Sequence, residues 1–142
     1  MEISLVRNRV LHAITAAKER SQVRRQRTAD AERAYLAFLR DVATPVTQQV
    51  ASALKAESYA FTVFTPGDGL RLAADRGRDD FIEFALDTVG DQPQVIGRIS
   101  RTRGSRTIDE ERPVKAGVSP ESLTDEDVLD FLVRALEPWL ER

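Results

Sequence analysis

The chain has 142 residues, 42% of them apolar and 31% charged, which is the make-up of one ordinary water-soluble domain with enough material for its own core. It contains no cysteine, so disulfides, thiolate zinc sites, iron–sulfur centres and cysteine nucleophiles are excluded. The net charge of −2 is unevenly spread. Residues 1–40 hold nine Lys/Arg against four Asp/Glu, and residues 41–142 hold twelve against nineteen, so a basic N-terminal segment precedes an acidic remainder.

No apolar run approaches a membrane span, and Met1-Glu2-Ile3-Ser4 lacks the basic region and apolar core of a signal peptide. A cytoplasmic protein with no membrane partner is expected. From residue 2 to about 26, Ile3, Val6, Val10, Ala13, Ile14 and Ala17 recur at helical spacing, broadened by Leu5 and Leu11, with no Gly or Pro between them. A stripe so near a terminus needs a cover: its own domain, another protein, or the same helix of a second copy, because the spacing also suits a coiled-coil seam. Ile3, Val6, Val10 and Ile14 are therefore the candidate partner-binding residues, with a homodimer expected.

From Lys18 to Arg27 only Val23 is apolar. Arg20, Arg24, Arg25 and Arg27, three and four apart, offer a flank for phosphate contacts, although such a run is more often a solvated helical face or a linker between two helices. No aromatic residue interleaves with them, which speaks against stacking on single strands. Thr28, followed by Asp30 and Glu32, has the chemistry of a cap for a second helix. Ala31, Ala34, Tyr35, Phe38, Leu39 and Val42 would be its sheet-covering face. Thr44-Pro45 suggests a kink or restart, after which Val46, Val50, Ala53 and Leu54 carry the stripe to about Ala56. Whether 2–43 is one helix or two stays open at this level.

Tyr59 to about Arg103 reads as an antiparallel meander. Tyr59, Phe61 and Val63, then Leu70, Leu72 and Ala74, then Ile82, Phe84 and Leu86, then Val95, Gly97 and Ile99 alternate with polar neighbours, as strands with one buried face do. Pro66-Gly67-Asp68-Gly69, Asp75-Arg76-Gly77-Arg78-Asp79 and Gly90-Asp91-Gln92-Pro93 supply turn chemistry between them. A second basic cluster, Arg98, Arg101, Arg103 and Arg106, surrounds Gly104-Ser105 and precedes Asp109, Glu110 and Glu111. A hairpin of 95–102 with 106–114 would set the two charge sets across from each other. Pro113 marks the last strand as an edge. Thr124-Asp125-Glu126-Asp127 opens a capped C-terminal helix, whose many apolar residues from Val128 to Leu140 predict deep burial. Pro138 should end or kink it near Glu137, and Trp139 should belong to the core.

The expected fold is thus α+β in two layers: an N-terminal helical region over 1–57, then a four- to five-stranded antiparallel sheet with a C-terminal helix over 58–142. Chemistry is sparse. His12 has no second ligand at metal spacing, no phosphate loop, dinucleotide fingerprint or nucleophile elbow occurs, and Asp75, Asp79 and Asp80 read as turn formers. No cofactor or metal is implied. A non-catalytic interaction or assembly module, adaptor or chaperone-like, acting through its N-terminal helices is the leading expectation. A nucleic-acid-binding protein using the clusters at 20–27 and 98–106, with Arg101 and Arg103 beside Arg20, Arg24, Arg25 and Arg27, is the alternative.

Overall fold

The structure is a computed structural model that describes residues 1–90 and 92–141. Its elements are α1 (Ile3–Phe38), a π turn (Leu39–Ala43), α2 (Thr44–Ala56), β1 (Phe61–Phe64), β2 (Leu70–Ala74), β3 (Phe81–Asp87), β4 (Gln94–Arg103), β5 (Arg106–Pro113), a 3₁₀ turn (Pro120–Ser122) and α3 (Asp125–Leu140). The five strands form one antiparallel sheet in sequence order, an α+β arrangement as expected.

Alternation places the strands. Leu70, Leu72, Ile82, Phe84, Val95 and Ile99 turn inward and are almost wholly buried. Register pairs Leu72 with Ile82, and Ile82 with Ile99, so this apolar set lines up across the sheet. Arg71, Glu83, Arg98 and Glu111 share the opposite face. There Arg71 bonds Glu83 at 2.7 Å and Arg98 bonds Glu111, its direct cross-strand neighbour, at 3.2 Å. Glu111 is the only acid of 109–111 that pairs as expected with the second basic cluster: Arg101 stands opposite Ile108, and Arg103 opposite Arg106. The β4–β5 connection is Gly104-Ser105 with a left-handed Gly104 (φ 65), and β5 is an edge strand, as Pro113 requires. Of the turn at 90–93, Asp91 lies outside the described residues.

The inner face is covered by the C-terminal end of α1, α2 and α3. A chain of aromatic contacts crosses it: Tyr35 stacks on Phe38 (6.3 Å between centroids), Phe38 meets the edge of Phe84 (6.5 Å), and Phe84 meets Phe131 (5.8 Å). Phe131 reaches the sheet only because residue 97 is glycine, where a Cβ would lie 2.0 Å from its ring. Asp80, buried in the β2–β3 connection, accepts the Thr102 amide (2.8 Å) and the Trp139 indole N–H (3.3 Å), tying that turn to β4 and α3. Trp139 also packs edge-on against Phe61. These contacts hold the last turn of α3 in place, so the helix runs to Leu140 instead of ending near Glu137. Pro138 removes one backbone bond, and a buried tryptophan one residue later outweighs that loss.

Residues 2–43 form no second helix at Thr28. α1 passes straight through it, because nothing between Ile3 and Phe38 breaks a helix and the central stretch is rich in Arg, Gln, Glu and Ala. Asp30 clamps the expected junction from inside, accepting from Gln26 (3.0 Å) and pairing with Arg33, the i+4 and i+3 spacing that supports a continuous helix. The disturbance before Pro45 is a π turn, in which the Thr44 amide bonds the Leu39 carbonyl. α3 does begin at a full capping box, Thr124 with Asp127.

Gly97→Ala should cost about 2 kcal/mol by overpacking against Phe131, read as a fall in melting temperature of roughly 6 °C; Gly97→Ala/Phe131→Leu should recover part of it. The Asp127 carboxyl is held below its usual value chiefly by the Thr124 backbone amide, with Lys115 and the Thr124 hydroxyl adding to that. Its contribution is therefore complete above the unfolded carboxyl value of about 4 and is lost as pH falls. Asp127→Asn should flatten the acid side of the stability–pH curve measured by urea unfolding.

Candidate interaction surface

α1 has two halves with different environments. Ala31, Tyr35 and Phe38 are buried, whereas no residue from Ile3 to Arg27 is. At 1.5 Å per residue the helix leaves the body at Ala31 and continues for roughly 40 Å to Ile3. This arm shows water Ile3 (85% exposed), Val6 (44%), Val10 (52%) and Ile14 (45%), which fall on one side of the helix. Ala13 and Ala17 complete the stripe, whereas Leu5 and Leu11, expected to broaden it, fall on the flanks outside it. All four expected partner-binding residues are thus together and uncovered.

Basic side chains run along both margins of the stripe. By helical geometry Arg7, Lys18 and Arg25 lie on one side, and Arg9, Arg20 and Arg27 on the other, while Arg24 falls on the line of the stripe itself. The arm carries only two acids, Glu2 and Glu19. At its root an open groove of about 560 Å³ lies between Val23, Arg27, Ala31 and Ala34 on the helix and Pro93 and Pro120 on the body. Tyr35 seals the base of α1, and burial, with Glu83 adding and Arg98 opposing, pushes its hydroxyl well above the ordinary tyrosine range. It stays neutral at any physiological pH.

The two arginine clusters do not meet. Arg27 borders the groove with Pro93, at the start of β4, while Arg101 and Arg103 lie toward its other end, about 25 Å or more along the strand. Arg20, Arg24, Arg25 and Arg27 do not share the one flank expected of them, since Arg25 lies across the stripe from Arg20 and Arg27, and Arg101 and Arg103 sit near the tip of the β4–β5 hairpin. His12 is exposed on the arm, and among the described residues no group of three or more acidic or imidazole side chains gathers as a metal site would need. Asp80, expected as a turn former, is buried and structural. A second open hollow, near β1 and β2, is lined by Phe64, Arg71, Asp75, Arg78 and Glu83. Arg71 is already engaged there, paired with Glu83 and lying 4.0 Å above the Phe81 ring.

The sequence reading misses one surface. α3 is not buried all round: Leu129 (43% exposed), Val133 (50%) and Leu140 (40%) face outward. Glu126, Asp130 and Glu137 run directly beside them. Leu129 also borders a smaller groove of about 250 Å³ between α2 and α3, lined by Val46, Gln49, Val50, Ala53, Asp125 and Glu126. The number of apolar residues predicts deep burial, whereas the period of 3.6 separates Val128, Leu132, Ala135 and Trp139 from this outer line.

Comparisons with protein-family models, with curated proteins and with solved structures found no match. No helix among the described residues is long and apolar enough to cross a membrane.

Because the clusters are separate, any nucleic-acid affinity of the arm should be independent of the hairpin. Neutralising Arg24, Arg25 and Arg27 to Gln should lower it and flatten its salt dependence, whereas Arg101→Gln/Arg103→Gln should leave it unchanged within about twofold, read by fluorescence anisotropy with labelled DNA and RNA.

Proposed function

We propose that this protein is a non-catalytic interaction or assembly module that works through its N-terminal helix. One observation carries the reading: a continuous helix anchored in the core by Tyr35 and Phe38 holds Ile3, Val6, Val10 and Ile14 in water, far outside that core. Exposed apolar surface of this continuity costs hydration free energy and marks contact sites in soluble proteins. Val6, Val10 and Ile14 are about half shielded by their own helix, so each retains roughly 1 kcal/mol to gain from full burial, and Ile3, which is more exposed, somewhat more. A stripe of this size supports a modest, reversible contact, strengthened or directed by the arginine margins.

The nucleic-acid alternative is supported by the arm arginines alone, since the second cluster stands apart from them. A phosphate strip would also leave the apolar stripe uncovered. Protein contact uses both features of the arm, and for that reason it is the reading adopted.

A photo-reactive cross-linker at Ala13, on the stripe, should give protein adducts in cells expressing the chain, and one at exposed Gln48 should give few. Val6→Gln/Val10→Gln/Ile14→Gln should abolish the Ala13 adducts while leaving the melting temperature essentially unchanged, since glutamine keeps the helix and the replaced side chains touch no core. The absence of any protein adduct from Ala13, to itself or to another chain, would overturn the reading.

A further inference from the structure

The arm and the outer face of α3 are opposites in the same molecule. The arm presents an apolar stripe between basic margins: Arg7, Lys18 and Arg25 on one side, Arg9, Arg20 and Arg27 on the other. The outer α3 face presents an apolar line, Leu129–Val133–Leu140, beside the acidic row of Glu126, Asp130 and Glu137. The stripe from Ile3 to Ala17 spans roughly 21 Å and the α3 line roughly 17 Å, so one can lie along the other over most of its length. Ala53 and Gln49 leave the floor of the adjoining α2–α3 groove shallow enough for a helix to approach.

Both surfaces are exposed in the single chain. The arm cannot close on its own α3, because α1 is one unbroken helix from Ile3 to its buried anchor at Phe38. Contact of this kind therefore takes two molecules. Arm against arm is the poorer pairing: with seven basic and two acidic side chains in residues 1–27, two arms in parallel register bring Arg20, Arg24 and Arg27 against their own copies. In the antiparallel overlap of the stripes those arginines stay unneutralised.

We infer that a second copy of this chain covers the arm, its α3 outer face docking on the Ile3–Ala17 stripe. The exchange is reciprocal, each arm lying on the other molecule's Leu129–Val133–Leu140 line with one basic margin, Arg7 and Lys18, against the row of Glu126, Asp130 and Glu137. Reciprocity supplies two contacts per dimer, which brings the buried area toward the roughly 1,600 Å² usual for a stable pair. The inference rests on the arm being an interaction surface and names its occupant.

The full chain and two charge-reversed variants test it, by sedimentation velocity over a wide concentration range. The native chain should form a dimer whose dissociation constant rises about tenfold or more between low and near-physiological salt. The arm variant Arg7→Glu/Lys18→Glu alone and the α3 variant Asp130→Lys/Glu137→Lys alone should each be monomeric. An equimolar mixture of the two should restore a dimer of one copy of each, because both of its contacts then join opposite charges. All substituted residues are exposed, and unchanged melting temperatures for the variants verify their folding. An α3 variant that dimerises like the native chain would overturn the exchange and point to arm-on-arm contact, leaving the interaction reading standing. A native chain that stays monomeric at every concentration would overturn it too, and cross-links from Ala13 to another protein would then preserve the interaction reading alone.

Discussion

The union of α1 with the core at Ala31, Tyr35 and Phe38 determines what the rest of the molecule can do. These residues occupy the last two turns of a 36-residue helix and bind it to the centre of the sheet through Phe84. Because the helix has no break before them, the direction of everything from Ile3 to Asp30 is decided by how those side chains pack. An apolar stripe on a hinged segment would collapse onto the nearest greasy surface of its own domain. On a rigid rod it remains in solvent, available to something outside.

The same helix explains how charge is divided. The body is acidic and the arm basic, and a flexible basic tail would be drawn onto the acidic body by its own field. Stiffness prevents that. The α3 carboxylates and the arm arginines therefore remain separate surfaces, each of one dominant sign and each with an apolar line beside it. Such surfaces choose partners by complementarity more than by total apolar area.

Much of the fold was legible in the sequence because it rests on local rules. Period-two alternation located four strands, turn residues marked their connections, Pro113 announced the edge, and Thr124 with Asp127 announced a cap. What stayed hidden depended on competition between local and distant effects. Thr28 has capping chemistry, but it sits among good helix formers bridged by Gln26, Asp30 and Arg33, and the helix continues. Pro138 disfavours a helix, but Trp139 is held by Asp80 and Phe61. Asp80 looked like a turn residue because its partners, Thr102 and Trp139, are 22 and 59 positions away. The four stripe residues were legible as a set, whereas the distance between the arginine clusters was not, since it depends on which end of β4 faces the helix.

The π turn at Leu39–Ala43 carries a consequence for the arm. A π turn inserts one residue into an α-helical path, just ahead of Pro45, whose missing N–H could not have served the regular ladder. One residue corresponds to about 100° of rotation about the helix axis. The extra residue therefore acts as an azimuthal setting, bringing Ala31, Tyr35 and Phe38 of the rod and Val46, Val50 and Leu54 of α2 onto the core together. A chain shortened by one residue there would set the anchoring face of α1 about 100° out of phase with the buried face of α2, so that the rod could keep its bearing only at the expense of α2's packing.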